Sequence, residues 1–140
     1  MNEKIEVDIK VPNQTRYLGL IGKIGEDIAR TLKKYHGDRE ELAYHLNLVL
    51  TEAMANAICH ANEGDPDKEV HIAITFADRV LNIKVYDQGQ GFDVNSLPVP
   101  DFQNLEDHGR GIYIIRTLMD RVTYEKHDYG NVLEMQKTLT

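Results

Sequence analysis

Apolar and polar residues alternate at Ile5, Val7, Ile9 and Val11, a period of two that predicts a strand with one buried face. Pro12 ends it. From Gln14 to Tyr35 the spacing changes: Leu18, Ile21, Ile24, Ile28 and Leu32 recur at helical intervals, and Gly37 stops the run. Gly19, Gly22 and Gly25 weaken that helix by about 1 kcal/mol each against Ala, unless they mark close packing on a neighbour. Asp38 and Glu41 form a capping-box-like pair opening a second helix. Its apolar stripe is Leu42, Leu46, Val49 and Ala53, and it runs to Ala61, before the turn Asn62-Glu63-Gly64-Asp65-Pro66. Val70, Ile72, Ile74 and Phe76 alternate, as do Leu81, Ile83 and Val85, and the short link Ala77-Asp78-Arg79 makes the two a hairpin. The stretch from Gln88 to His108 holds Pro98 and Pro100 and no clear period, so it reads as a long loop, functional or mobile, with room for a short helical turn. After Gly111, Ile112, Ile115, Leu118 and Met119 predict a short helix. Val122 and Tyr124 begin a strand, Tyr129-Gly130 turns it, and Val132 to Leu139 closes a last hairpin. The order β-α-α-β-β-loop-α-β-β predicts an α+β fold: a two-layer sandwich of a mixed, mainly antiparallel sheet with helices on one face.

Composition narrows the class. A chain of 140 residues, 41% hydrophobic and 28% charged, suits one globular domain over residues 1–140. The lone Cys59 excludes an internal disulfide framework and reads as a small buried hydrophobe. No run approaches the ~18 apolar residues of a membrane span, and the first ten residues lack an apolar signal core, so the expected setting is cytoplasmic, without a membrane partner. The net charge of −7, with no basic run, argues against nucleic acid. The 6 histidines are scattered without paired spacing, which argues against a transition-metal site.

Three short patterns carry candidate chemistry. Glu52 and Asn56 lie four apart on the second helix, on one face, and His60 extends the polar line by another turn. An amide oxygen there can ligate a hard cation such as Mg²⁺, and a carboxylate can take a proton. Asp87 ends a strand and is followed by Gly89 and Gly91, a pattern that lets the backbone approach a flat ring while the acid accepts from an exocyclic amine. Gly109, Arg110, Gly111 and Ile112 open a helix, where free backbone N–H groups favour an anion. Singly, each is also an ordinary helix edge, turn or glycine-rich helix start.

In combination and in this order, they resemble the N, G1 and G2 boxes of the GHKL (Bergerat-fold) ATPases, the superfamily that includes gyrase and the histidine kinases. The loop between the last two then resembles that superfamily's ATP lid. Within it, Glu52-Ala53-Met54-Ala55-Asn56-Ala57-Ile58-Cys59-His60 and Gly109-Arg110-Gly111-Ile112 through Met119-Asp120 are most similar to the bacterial anti-sigma-factor serine/threonine kinases. The resemblance implies ATP and Mg²⁺ as cofactors. Asn56 would ligate the metal, Asp87 would hold the adenine N6 beside Gly89 and Gly91, and His60 would lie along the nucleotide site. The amides from Gly109 to Ile112, with Arg110, would hold the phosphates. Glu52 would act as the catalytic base toward a serine or threonine hydroxyl. It also implies a STAS-domain anti-sigma-factor antagonist as substrate, a sigma factor or other regulator as second partner, and a possible homodimer. Two departures stand out: Arg110 where such kinases carry a hydrophobic residue, and Asn131 where superfamily members often carry a threonine near the adenine. A catalytically silent nucleotide-gated binding module and a detached histidine-kinase ATPase domain remain alternatives.

Overall fold

The computed structural model describes residues 3–61, 65–88, 107–127 and 130–140, and of residues 60, 61 and 107–110 it describes the backbone. Strand β1 (Ile5–Pro12) leads through a 3₁₀ turn (Thr15–Tyr17) into α1 (Leu18–Thr31) and α2 (Arg39–Asn56), which ends in a π-type turn (Ala57–Ala61). The hairpin β2 (Glu69–Ala77) and β3 (Val80–Asp87) follows, then α3 (Asp107–Leu118), β4 (Arg121–His127) and β5 (Gly130–Thr138). The strands lie in the order β1-β2-β3-β5-β4, and all four pairings are antiparallel. The last strand thus enters between β3 and β4, which sets Asp87 opposite Asn131.

Alternation along each strand sorts the sheet into two faces. Ile72, Ile74, Ile83, Val85, Leu133 and Met135 are buried on one of them. They join Ile21, Ile28, Leu42, Leu46, Val49 and Ile115 from the helices in one core. The opposite face is half-exposed and polar, with Lys84 and Glu134 paired at 3.9 Å and His71 stacked on Tyr86. This is the helices-on-one-face sandwich that the periodicities predict. Among the described residues, no helix is long and apolar enough to cross a membrane.

Local chemistry sets the element ends. The Asp38 carboxylate accepts from the amides of Glu40 (2.9 Å) and Glu41 (3.2 Å), the expected N-cap of α2. In the β2–β3 turn only Asp78 and Arg79 intervene, at φ 53° and 66°, the left-handed pair that matches strand twist in a two-residue hairpin. Helix α1 stops at Thr31, short of the predicted Tyr35. Leu32 turns extended (ψ 128°), and the Arg39 guanidinium takes its carbonyl at 3.0 and 2.7 Å. Cys59 is exposed rather than buried. Ala57 and Ile58 take the core side of the π-type turn, and the next residue swings to solvent.

The glycines of α1 differ in purpose. A Cβ at Gly25 would sit 2.6 Å from Leu50 Cδ1 and 3.1 Å from the Leu46 carbonyl oxygen, and one at Gly22 would meet Asn47 and Thr51. Both let α1 lie close on α2, whereas a Cβ at Gly19 would meet nothing within 4 Å. Gly25→Ala is therefore expected to destabilise the fold by about 1–3 kcal/mol through overpacking. Gly19→Ala is expected to stabilise it by about 0.5–1 kcal/mol through helix propensity. Urea unfolding of the two variants checks the opposite signs; a common sign would contradict the packing account.

On the solvent side the same two helices are joined by Arg30, which reaches Glu26 at 3.2 Å and Glu40 at 2.9 Å, while Asn47 Nδ2 donates to Glu26 at 2.6 Å. The Asn47 hydrogen bond, then Arg30, holds the Glu26 carboxyl below its ordinary 4.5, and the Arg30 hydrogen bond does the same for Glu40. Carboxyls with depressed folded values contribute stability above the unfolded value and lose it as the pH falls through the folded one. Arg30→Met should accordingly lower the urea midpoint at pH 7, and the gap to wild type should close as the pH falls below about 4.5. A gap independent of pH between 7 and 3 would rule out the ion pairs as its source.

Candidate functional site

Glu52 and Asn56 occupy the last turns of α2, where the core stripe of Leu46, Val49, Leu50 and Ala53 fixes the helix against the sheet. One turn apart, they point the same way. Glu52 is half-buried and Asn56 is only 4% exposed. Helix α3 closes over them through Gly111. A Cβ there would lie 2.7 Å from Glu52 Oε2, 3.2 Å from Asn56 Nδ2 and 3.7 Å from Asn56 Oδ1. The missing side chain is what lets the three residues meet. Asn56 Nδ2 is buried and has no hydrogen-bond partner among the described residues. Leaving such a group unsatisfied costs about 1–3 kcal/mol, a penalty that a polar ligand at this spot removes. The Asn56 amide oxygen is a hard donor that fits Mg²⁺, and the Glu52 carboxylate beside it can take a proton.

Asp87 is the last residue of β3, on the helix-facing side and 5% exposed. Asn131 Nδ2, directly across on β5, donates to Asp87 Oδ1 at 2.8 Å. Tyr124 on β4 donates its hydroxyl to Asp87 Oδ2 at 3.1 Å. Donors on both oxygens suit an ionised carboxylate that acts only as an acceptor. Gly130, at φ 150°, brings β5 against the end of β3, and a Cβ there would collide with the Asp87 carbonyl oxygen.

Of the predicted site residues, Glu52, Asn56 and Gly111 are therefore brought together, and Asp87 is buried and held by hydrogen bonds. Gly89 and Gly91 lie outside the described residues, as does the long loop from 89 to 106, and the side chains of His60 and Arg110 are likewise outside the description. Helix α3 begins at Asp107, ahead of the Gly109–Gly111 pair rather than after it. Gly111 and Ile112 thus lie past the first turn, where amides bond within the helix, and the unpartnered amides belong to its opening residues. An acid at the first position favours this early start, and the helix keeps Gly111 because Glu52 and Asn56 occupy the space of its side chain. The Ile112 side chain belongs to the core, at 2% exposure. Tyr124, which the sequence places only at the start of a strand, is a polar partner of Asp87. The signal for it was the strand period, which puts Val122 and Tyr124 on one face of β4.

Comparison with known proteins identifies the family. Residues 16–137 match the histidine kinase-like ATPase domain. The chain is 31% identical over 142 positions to the Serine-protein kinase RsbW of Bacillus subtilis (strain 168), covering 95% of this chain and 85% of that protein. It is 32% identical to the protein of the same name from Bacillus licheniformis, with the same coverage. Among solved structures it is similar in fold to the histidine kinase domain of the blue-light activated histidine kinase EL346 of Erythrobacter litoralis. The TM-score is 0.57 at 20% identity, over 92% of this chain and 62% of that one. With a matching domain over most of its length and relatives of this identity, the chain belongs to the histidine kinase-like, GHKL-type ATPase family.

Proposed function

We propose that this protein is a serine/threonine protein kinase of the anti-sigma-factor type, using Mg-ATP to phosphorylate a STAS-domain antagonist and holding a sigma factor or other regulator in a partner switch. The observation that carries the reading is the meeting of Gly111, one turn into α3, with a carboxylate, Glu52, and a buried amide, Asn56, whose nitrogen has no partner among the described residues. The relatives named as serine-protein kinases support the choice of acceptor.

In this reading Asp87 accepts from the exocyclic amine of adenine, and the opening amides of α3 face the phosphates. Asn56 holds Mg²⁺, which when bound neutralises phosphate charge. Glu52 accepts the proton of the substrate hydroxyl as its oxygen bonds to the γ-phosphorus and the bond to the β-phosphate oxygen breaks, releasing ADP. The protein's contribution is chiefly placement and charge compensation, with one proton transfer assigned to Glu52.

Phosphoryl transfer from γ-³²P-labelled Mg-ATP into proteins of a source-cell extract tests the proposal. An acid-stable labelled band is the expected result. Acid-labile label would indicate phosphohistidine and a histidine kinase. Bound ATP with no labelled protein would favour a nucleotide-gated binding module.

A further inference from the structure

We propose that Asn131 and Tyr124 are positioning residues that set nucleobase choice at Asp87, so that the site takes a 6-amino purine and turns away a 6-oxo purine. The inference rests on the nucleotide-binding reading of the site. Three neighbouring strands converge on one carboxylate: β3 carries Asp87, β5 supplies the Asn131 amide at 2.8 Å, and β4 supplies the Tyr124 hydroxyl at 3.1 Å. Asp87 and Asn131 are register partners and both almost fully buried, at 5% and 3% exposure. The Asn131 amide therefore meets the carboxylate inside the fold, where the hydrogen bond is stronger than it would be in water.

Each donor restrains one oxygen of the carboxylate against turning about its Cβ–Cγ bond. The two together, from different strands, fix the plane of the group. Both oxygens accept from these donors, and a carboxylate can only accept. A 6-amino group donates to such an acceptor. A 6-oxo group offers only lone pairs at that position and meets repulsion. A site that hydrogen-bonds one substituent discriminates strongly because the wrong ligand leaves buried polar groups unmatched. If either donor is lost, the carboxylate turns more freely away from the 6-substituent. That weakens the contact only a 6-amino group makes and relaxes the repulsion a 6-oxo group meets, so the loss falls on discrimination as well as on affinity.

The test compares equilibrium binding of ATP and inosine triphosphate, which carries oxygen in place of the 6-amino group. Wild type, Tyr124→Phe and Asn131→Val are measured, with thermal unfolding as a check that each variant is folded. Tyr124→Phe removes only a hydroxyl, so it keeps the test open if the buried Asn131→Val fails to fold. Wild type is expected to favour ATP, and the ratio of ATP to inosine triphosphate affinity is expected to fall about tenfold in each folded variant, the scale of one hydrogen bond to a charged group. A purely structural role would weaken both nucleotides together and leave the ratio unchanged. An unchanged ratio in folded variants, or no preference in wild type, overturns the assignment. Failure of wild type to bind either nucleotide would instead overturn the nucleotide-binding reading on which it rests.

Discussion

Glu52→Gln is expected to lower phosphoryl transfer to protein by about 10²–10⁴-fold, the usual contribution of a positioned general base, while nucleotide affinity stays near wild type. The substitution keeps the shape of the side chain and removes its ability to take a proton. Glu52 sits four residues before Asn56 on the rigid end of α2, half-buried and next to the backbone of Gly111. The proposed nucleotide contacts come from other residues: Asp87 at the base, Asn56 at the metal and the start of α3 at the phosphates. Binding and chemistry should therefore separate in this variant. Nucleotide affinity measured by calorimetry and transfer measured under single-turnover conditions give the two numbers. Unimpaired transfer would remove Glu52 from the chemistry. Loss of affinity equal to the loss of transfer would make it a binding residue instead.

The strand alternations at Ile5–Val11, Val70–Phe76 and Leu81–Val85 were legible because a sheet with one covered face imposes period two on every strand. The Asp38 cap was legible because the chemistry is local: a short acid and two amides within three residues. Glu52 and Asn56 were legible as a pair because helical spacing alone puts them on one face. What escaped was set by partners distant in the chain. The early end of α1 depends on Arg39, seven residues past the carbonyl that it takes. Exposure of Cys59 depends on the π-type turn, which has no sequence signature as plain as a cap. The polar role of Tyr124 depends on Asp87, 37 positions away, and is visible only once β5 is known to enter between β3 and β4. Asn131 departs from a family pattern in the sequence itself, but its hydrogen bond to Asp87 depends on the same strand order.

Gly111→Ala is expected to cut phosphoryl transfer by about 10²-fold with little loss of thermal stability, a combination that ordinary helix energetics does not produce. Within a helix, Ala is favoured over Gly by about 1 kcal/mol, so local propensity favours the variant. The added methyl, however, would stand 2.7 Å from Glu52 Oε2 and 3.2 Å from Asn56 Nδ2. The Glu52 carboxylate ends a flexible side chain and can move aside, which limits the cost to folding. Moving it is what disables the site, because a displacement near 1 Å costs about 10²-fold in rate where the reacting groups must be aligned. Asn56, buried in the last turn of α2, has less room to yield, so nucleotide affinity in the presence of Mg²⁺ should fall as well. Melting temperature, Mg-ATP affinity and transfer rate measured on one preparation distinguish the accounts. A collapse of all three would mean that Gly111 serves folding. Stability retained with normal transfer would mean that α3 does not close on Glu52 and Asn56 in the working protein. Stability retained with transfer lost would tie the glycine to the chemistry, through the space it leaves for a carboxylate and an amide.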